Sequence, residues 1–219
     1  MLQKFAFLCA ICGVQLACAG PAAQPSARAV ASPVASIDPW AQGQTRRVRS
    51  TTLDFAIELK LPDKEHWTIK DGPGWLILEH AQSASRVALR TWRAERLVRR
   101  AECEAEARLK RPEIPLVRED TVIERRLFAA PADFESELSV GVEATPFGLS
   151  GFAIVFGSSV GRCYAAVFTT TQAGGSAEQQ IATRLGLAVD QILSRVRVRS
   201  VDERAPRRRL ISTPRAPSE

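Results

Sequence analysis

Two apolar runs, GFAIVFG at 151–157 and CYAAVFTT at 163–170, constrain the fold of this chain more than any other feature. Successive side chains of a strand point to opposite faces of its sheet, so a run that is apolar at every position must be covered on both sides. Gly157-Ser158-Ser159-Val160-Gly161 joins the two runs as a short turn. They therefore read as central strands, and the rest of the chain has to supply layers above and below them.

Those layers are legible in outline. Leu53, Phe55, Ile57, Leu59 and Leu61 alternate in TLDFAIELKLP, a half-buried strand stopped by Pro62. Residues 63–70 read as a loop carrying Trp67, and DGPG at 71–74 as a turn. WLILEH and SRVALRTW follow as a hairpin through 81–85. From 93 to 110 the period changes to that of a helix, with Ala94, Leu97, Val98, Ala101, Ala105 and Leu109 on one stripe. Glu95–Arg99, Glu104–Arg108 and Glu106–Lys110 set acid four residues before base, and Pro112 ends the helix. TVIERRLF and ESELSVGVEA are further strands. Ser176 with Gln179 predicts a capping box for a second helix, whose stripe is Ala177, Ile181, Leu185, Ala188 and Ile192. RVRVRSV alternates as a last edge strand. This order predicts an α+β fold, a mostly antiparallel sheet of about seven strands with two packed helices.

The ends have a different character. Residues 1–19 carry a basic Lys4, an apolar stretch too short to span a bilayer and a small-residue exit, the layout of a secretory signal. Leu16-Ala17-Cys18 resembles a lipobox with Cys18 as the lipidated residue, whereas Ala17-Cys18-Ala19 fits simple cleavage; both outcomes stay open. Residues 20–50, rich in Ala, Pro and Ser, read as an unstructured tether, residues 51–202 as a single domain and residues 203–219 as an unstructured basic tail. The formal charge of +6 collects toward the two ends. Arg46, Arg47 and Arg49 precede the domain and the tail is arginine-rich, so anionic lipid or an envelope polyanion is the expected contact. Export argues against nucleic acid.

Cys9 and Cys12 lie in the signal, which leaves Cys103 and Cys163 as an even pair in an oxidising compartment. A bond between them closes a loop worth about 3–4 kcal/mol. The helical stripe places Cys103 on the opposite side, so the bond is expected from a helix edge or outer face.

Catalytic chemistry has no visible carrier. Gly157-Ser158-Ser159-Val160-Gly161 satisfies G-x-S-x-G, but a strand follows where a hydrolase elbow needs a helix, and both histidines, His66 and His80, precede the serine. Two separated histidines and two distant cysteines give no metal-ligand spacing. Asp54, Glu58, Glu79, Asp133 and Glu135 are candidate carboxylates with nothing to single out a pair. No cofactor motif is present in the sequence. Trp67, after a charged loop and before a Gly/Pro turn, is the candidate partner contact.

FAIELKLPDKEHW, a charged helix with Cys103, ESELSVGVEA, GFAIVFG and RCYAAVFTT together resemble the small secreted lipoproteins of Gram-negative bacteria that carry PsbP-like α-β-α sandwich domains. The resemblance covers about 51–201. It implies a central antiparallel sheet with helices on its faces, a binding or assembly role without a catalytic set, and, from Ala19 after the anchor cysteine, an outer-membrane address facing the periplasm. The expectation is a non-catalytic envelope lipoprotein, held by membrane lipid and binding an envelope protein or polyanion. A periplasmic hydrolase with an unidentified carboxylate site is the alternative.

Overall fold

Strand alternation divides the core of the domain into two separate apolar clusters, one on each face of its main sheet. In the computed structural model, residue 40 and residues 46–52, 55–63, 65–72 and 74–200 are described. The expected signal, Cys18, most of the tether and the basic tail lie outside them.

Ten strands form two sheets. The larger has seven antiparallel strands, β3 (Trp67–Gly72), β4 (Trp75–His80), β5 (Ser85–Arg93), β9 (Arg162–Gln172), β8 (Gly148–Ser159), β7 (Glu135–Thr145) and β6 (Val122–Phe128), in that spatial order. The smaller pairs β1 (Arg46–Thr52) and β10 (Arg197–Ser200) on either side of β2 (Phe55–Leu61), both antiparallel. Helices α1 (Arg100–Lys110) and α2 (Ala177–Leu187) complete the domain, the latter running on through a π-helical turn at Ala188–Ile192. The expected α+β architecture is what forms.

β8 and β9 are the central strands their composition demands. Phe152, Ile154, Phe156, Ala165 and Val167 point to one side and pack with Cys103 and Ala107 of α1. The intervening Ala153, Val155, Tyr164, Ala166 and Phe168 point to the other. There they meet Ile181 and Leu185 of α2 and the inner face of the small sheet, including Val48, Ile57, Leu59 and Val198. Gly151 on β8 marks the seat of α2, because a Cβ there would lie 2.5 Å from Ile181 Cγ2.

Several local expectations are corrected. The tether boundary at 50 is too late: β1 starts at Arg46, and Trp40 is buried against Trp67 and Phe168. β1 contributes Val48 and Ser50 to the inside, too little apolar content to register as a strand in sequence. The loop expected over 63–70 ends in strand β3, which gains its hydrogen bonds from β4 rather than from its own pattern. Helix α1 begins at Arg100, not 93, and the assigned stripe is not its inner face, since Leu97 is 77% and Leu109 81% exposed. Cys103 and Ala107 face the sheet instead. Cys103 bonds to Cys163 with Cα atoms 5.4 Å apart, so the disulfide is a core contact that sets the rotation of α1, not an outer staple. At α2 the expected capping box is absent: the Ser176 hydroxyl accepts from Gln180 Nε2 at 3.0 Å. The stripe Ala177, Ile181, Leu185, Ala188 and Ile192 is buried throughout.

Candidate functional site

Alternation in the small sheet sends its apolar residues inward and leaves charge outside. On β10 Val198 is buried while Arg197 and Arg199 are exposed, and Arg195, in the turn Leu193–Arg195 just before it, is exposed as well. On β1 Arg47 and Arg49 are exposed beside buried Val48 and Ser50. The centre strand presents Glu58 and Lys60 to the same outer side. Register fixes the pattern: Glu58 lies opposite Arg49 on one neighbour and Arg197 on the other, and Lys60 opposite Arg47.

The segment joining β6 to β7 stands beside this face, and a groove of about 800 Å³ runs between them. Its far wall is Ala129–Asp133, where the Ala130–Pro131 bond is cis. Arg47, Lys60, Arg195, Arg197 and Arg199 line the groove, against the carboxylates Glu58 and Asp133. Glu58 is already engaged, with Arg47 Nε at 3.0 Å and Arg49 Nε at 3.3 Å. Among the described residues, no carboxylate forms an ion pair with Lys60, Arg195, Arg197 or Arg199. Alternate strand residues repeat about every 6.7 Å, so the β10 arginines form a ladder of cations along one wall. Such a surface attracts repeated anionic groups, and a concave wall of one sign concentrates its potential.

The sequence placed Arg47 and Arg49 at one end of the domain and the arginines of RVRVRSV at the other. Both flank β2 and belong to one site. The alternation of RVRVRSV was a signal available in sequence; what was missing was that residues 46–52 form a strand and that both pair with β2.

Trp67, the candidate partner contact, lies in the core. Its ring is buried and its Nε1 donates to Pro62 O at 2.7 Å. Trp75 and Trp92 are core residues too. Ser159 belongs to the β8–β9 hairpin, where Arg162 donates to its hydroxyl and Gly161 takes the left-handed turn conformation, φ +65°. It sits at the opposite end of the β5–β9 ladder from the end that β4 joins at His80. Of the candidate carboxylates, Glu58 and Asp133 line the groove and Glu79 pairs with Lys70 at 2.7 Å. Glu135 starts β7, and Asp54 lies outside the described residues.

The histidines, expected to be isolated, converge. Trp67 pairs with His80 across the β3–β4 hairpin, which brings His66, one residue before β3, alongside. Asp63, in the left-handed region at φ +50°, extends its carboxylate between them. Oδ1 lies 2.8 Å from His66 Nδ1 and Oδ2 3.0 Å from His80 Nε2. The Ser83 N–H donates to His80 Nδ1 at 3.3 Å, so Nδ1 is an acceptor and Nε2 carries the proton given to Asp63. Burial works to raise the Asp63 carboxyl, but hydrogen bonds from His66 and His80 and their charge outweigh it, and the group titrates below its ordinary 3.8.

No protein-family model matches the chain. No curated protein matches it. Among solved structures, a protein from Bacteroides thetaiotaomicron VPI-5482 aligns over 75% of this chain with 11% identity and a TM-score of 0.42. The chain spans about half of that protein, 52% of its length. LpqN, involved in cell envelope biogenesis of Mycobacterium tuberculosis, aligns over 73% of this chain and 94% of its own, with 12% identity and a TM-score of 0.41. At these scores neither likeness bears on the site, and the PsbP-like resemblance has no family model behind it. No helix among the described residues is long and apolar enough to cross a membrane.

Proposed function

We propose that this protein is a non-catalytic module of the cell envelope that holds a linear polyanion, such as an anionic glycan or an acidic segment of an envelope protein, in the groove beside β10. The observation that carries this reading is the set of four groove cations, Lys60, Arg195, Arg197 and Arg199, with no carboxylate partner among the described residues. Unpaired cations gathered on one wall repel one another, a cost that an anionic ligand removes. A groove with a raised far wall suits a chain of anionic groups better than the plane of a bilayer. The buried Cys103–Cys163 bond supports an oxidising compartment, and with it export rather than contact with cytoplasmic nucleic acid. Anchoring through Cys18 to the outer membrane belongs to the same reading and rests on the sequence.

Fluorescent polyphosphate and poly-glutamate are suitable probes, titrated against the full chain at two salt concentrations. The expected result is binding that weakens steeply with salt and falls at least tenfold in Arg195→Glu/Arg197→Glu/Arg199→Glu. Equal affinity of that variant and the parent for both probes would sink the proposal. Binding to anionic vesicles alone would replace the polymer with a lipid surface.

A further inference from the structure

The chain has two histidines, and the fold brings both onto one carboxylate. The three ligand atoms, one each from Asp63, His66 and His80, all lie within 4.8 Å of one another. An ion bound at the usual distances of about 2.0–2.2 Å needs its ligand atoms roughly 3–3.5 Å apart, so only small side-chain rotations separate this cluster from a coordination set. We propose that Asp63, His66 and His80 form a binding site for a late first-row divalent ion, zinc(II) being the ion the ligand set suits. Two imidazole nitrogens favour such an ion over magnesium or calcium, which take oxygen ligands.

The surroundings are those of a half-open site. His80 is fully buried, Asp63 is nearly so, and the His66 side chain is 44% exposed, so solvent reaches the cluster from the His66 side. Trp67 and Trp40 back the His80 ring, with centroids 5.1 and 5.9 Å away, and fix its plane. Three protein ligands leave a fourth position for water.

The remaining requirement is a place for the protons. His80 now holds its proton on Nε2, and ligation needs that nitrogen free. The proton count is kept if the ring proton moves to Nδ1, which lies 2.7 Å from Ser83 Oγ. Ser83 Oγ is 2.9 Å from Ser85 Oγ, which is 2.9 Å from Thr170 Oγ1. Each hydroxyl both donates and accepts, so the row can turn to accept the Nδ1 proton. Metal-bound histidines characteristically hold their second nitrogen this way. The contact given up is the long one from the Ser83 N–H. His66, which donates to Asp63 through Nδ1, likewise moves its ring proton to Nε2 when Nδ1 binds the ion, and Asp63 exchanges two hydrogen bonds for the metal.

The experiment uses the full chain, stripped with a chelator and titrated with Zn²⁺ against a colorimetric competitor, with Co²⁺ as a spectroscopic probe. The expected result is one Zn²⁺ per chain, a raised Tm in its presence, and Co²⁺ absorption in the visible without the intense near-ultraviolet band of thiolate ligands. His66→Ala replaces a partly exposed side chain and should keep the metal-free Tm while weakening Zn²⁺ at least hundredfold. Asp63→Asn should weaken it by a similar factor. Unchanged affinity in His66→Ala would overturn the site. So would no binding to the parent chain at tens of micromolar Zn²⁺, or a thiolate band, which would assign the ion to cysteines.

Discussion

Around α1 the cations have acids beside them: Arg108 with Glu104 at 2.9 Å, Lys110 with Glu106 at 2.6 Å, Arg96 with Glu102 at 2.7 Å and Arg100 with Glu137 at 2.7 Å. Among the described residues, no carboxylate forms an ion pair with Arg197 or Arg199 on β10. The difference follows from backbone geometry. A helix brings residues four apart together, so a sequence can write both partners into one element. A strand puts every second residue on one face, and on β10 the outward residues Arg197 and Arg199 are both arginine. Partners then have to come across the ladder, where β2 offers Glu58, already held by Arg47 and Arg49. The α1 cations thus have partners within the protein, whereas the β10 surface presents the exposed arginines that the proposed polyanion would meet.

Four experiments would break or sharpen this contrast. The largest effect is expected from Cys103→Ala/Cys163→Ala, which opens a loop with a sequence separation of 60. Equilibrium denaturation should show a loss of about 3–4 kcal/mol. The groove is built without α1, so at a temperature where the variant remains folded its polyanion affinity should stay within twofold of the parent. A parallel loss would mean the two regions are coupled. The triple arginine reversal at Arg195, Arg197 and Arg199 comes next, with affinity down about a hundredfold, or about 2.7 kcal/mol. Its Tm should change little, because all three side chains are exposed; a sharp fall would give those arginines a structural role instead.

Glu58→Gln should act in the opposite sense and more weakly. It removes the acid at the centre of the cationic face, so polyanion affinity should rise severalfold, readable in the same titration. A decrease would show that Glu58 positions Arg47 and Arg49 for the ligand. The smallest effect belongs to α1. Burial works to raise the Glu106 carboxyl, but the Lys110 hydrogen bond and the charges of Lys110 and Arg90 outweigh it, leaving it below its ordinary 4.5. A lowered folded-state value gives stability that is present above about pH 4.5 and lost as pH falls through the folded value. Glu106→Gln should cost about 0.3–0.5 kcal/mol at pH 7 and flatten the acid limb of the stability curve. An unaltered acid limb would show that this pair contributes nothing.

What sequence conveyed depended on whether an element's pattern was set by its own residues. The alternation of β7, the continuous apolar runs of β8 and β9 and the stripe of α2 are strong enough to read unaided. β1 and β3 lack that pattern and exist because a neighbour supplies their hydrogen bonds. α1 misled because the apolar stripe read for it starts before the helix does, with Leu97, and ends on exposed Leu109, while the smaller Cys103, bonded to Cys163, and Ala107 face inward. Trp67 was placed at the surface by its charged neighbours, although the chain there turns it under Trp40.

By itself, then, the order of residues determined the α+β class, the doubly covered centre of the main sheet, the pairing of Cys103 with Cys163 and the excess of arginine at both ends of the domain. Tertiary structure decided which of those arginines share a face and that His66, His80 and Asp63 meet. The first depends on strand register between segments far apart in sequence, and the second on the register of the β3–β4 hairpin, which β3's own pattern does not announce. Register is set by the summed fit of a whole buried layer, and no local stretch of residues contains that sum.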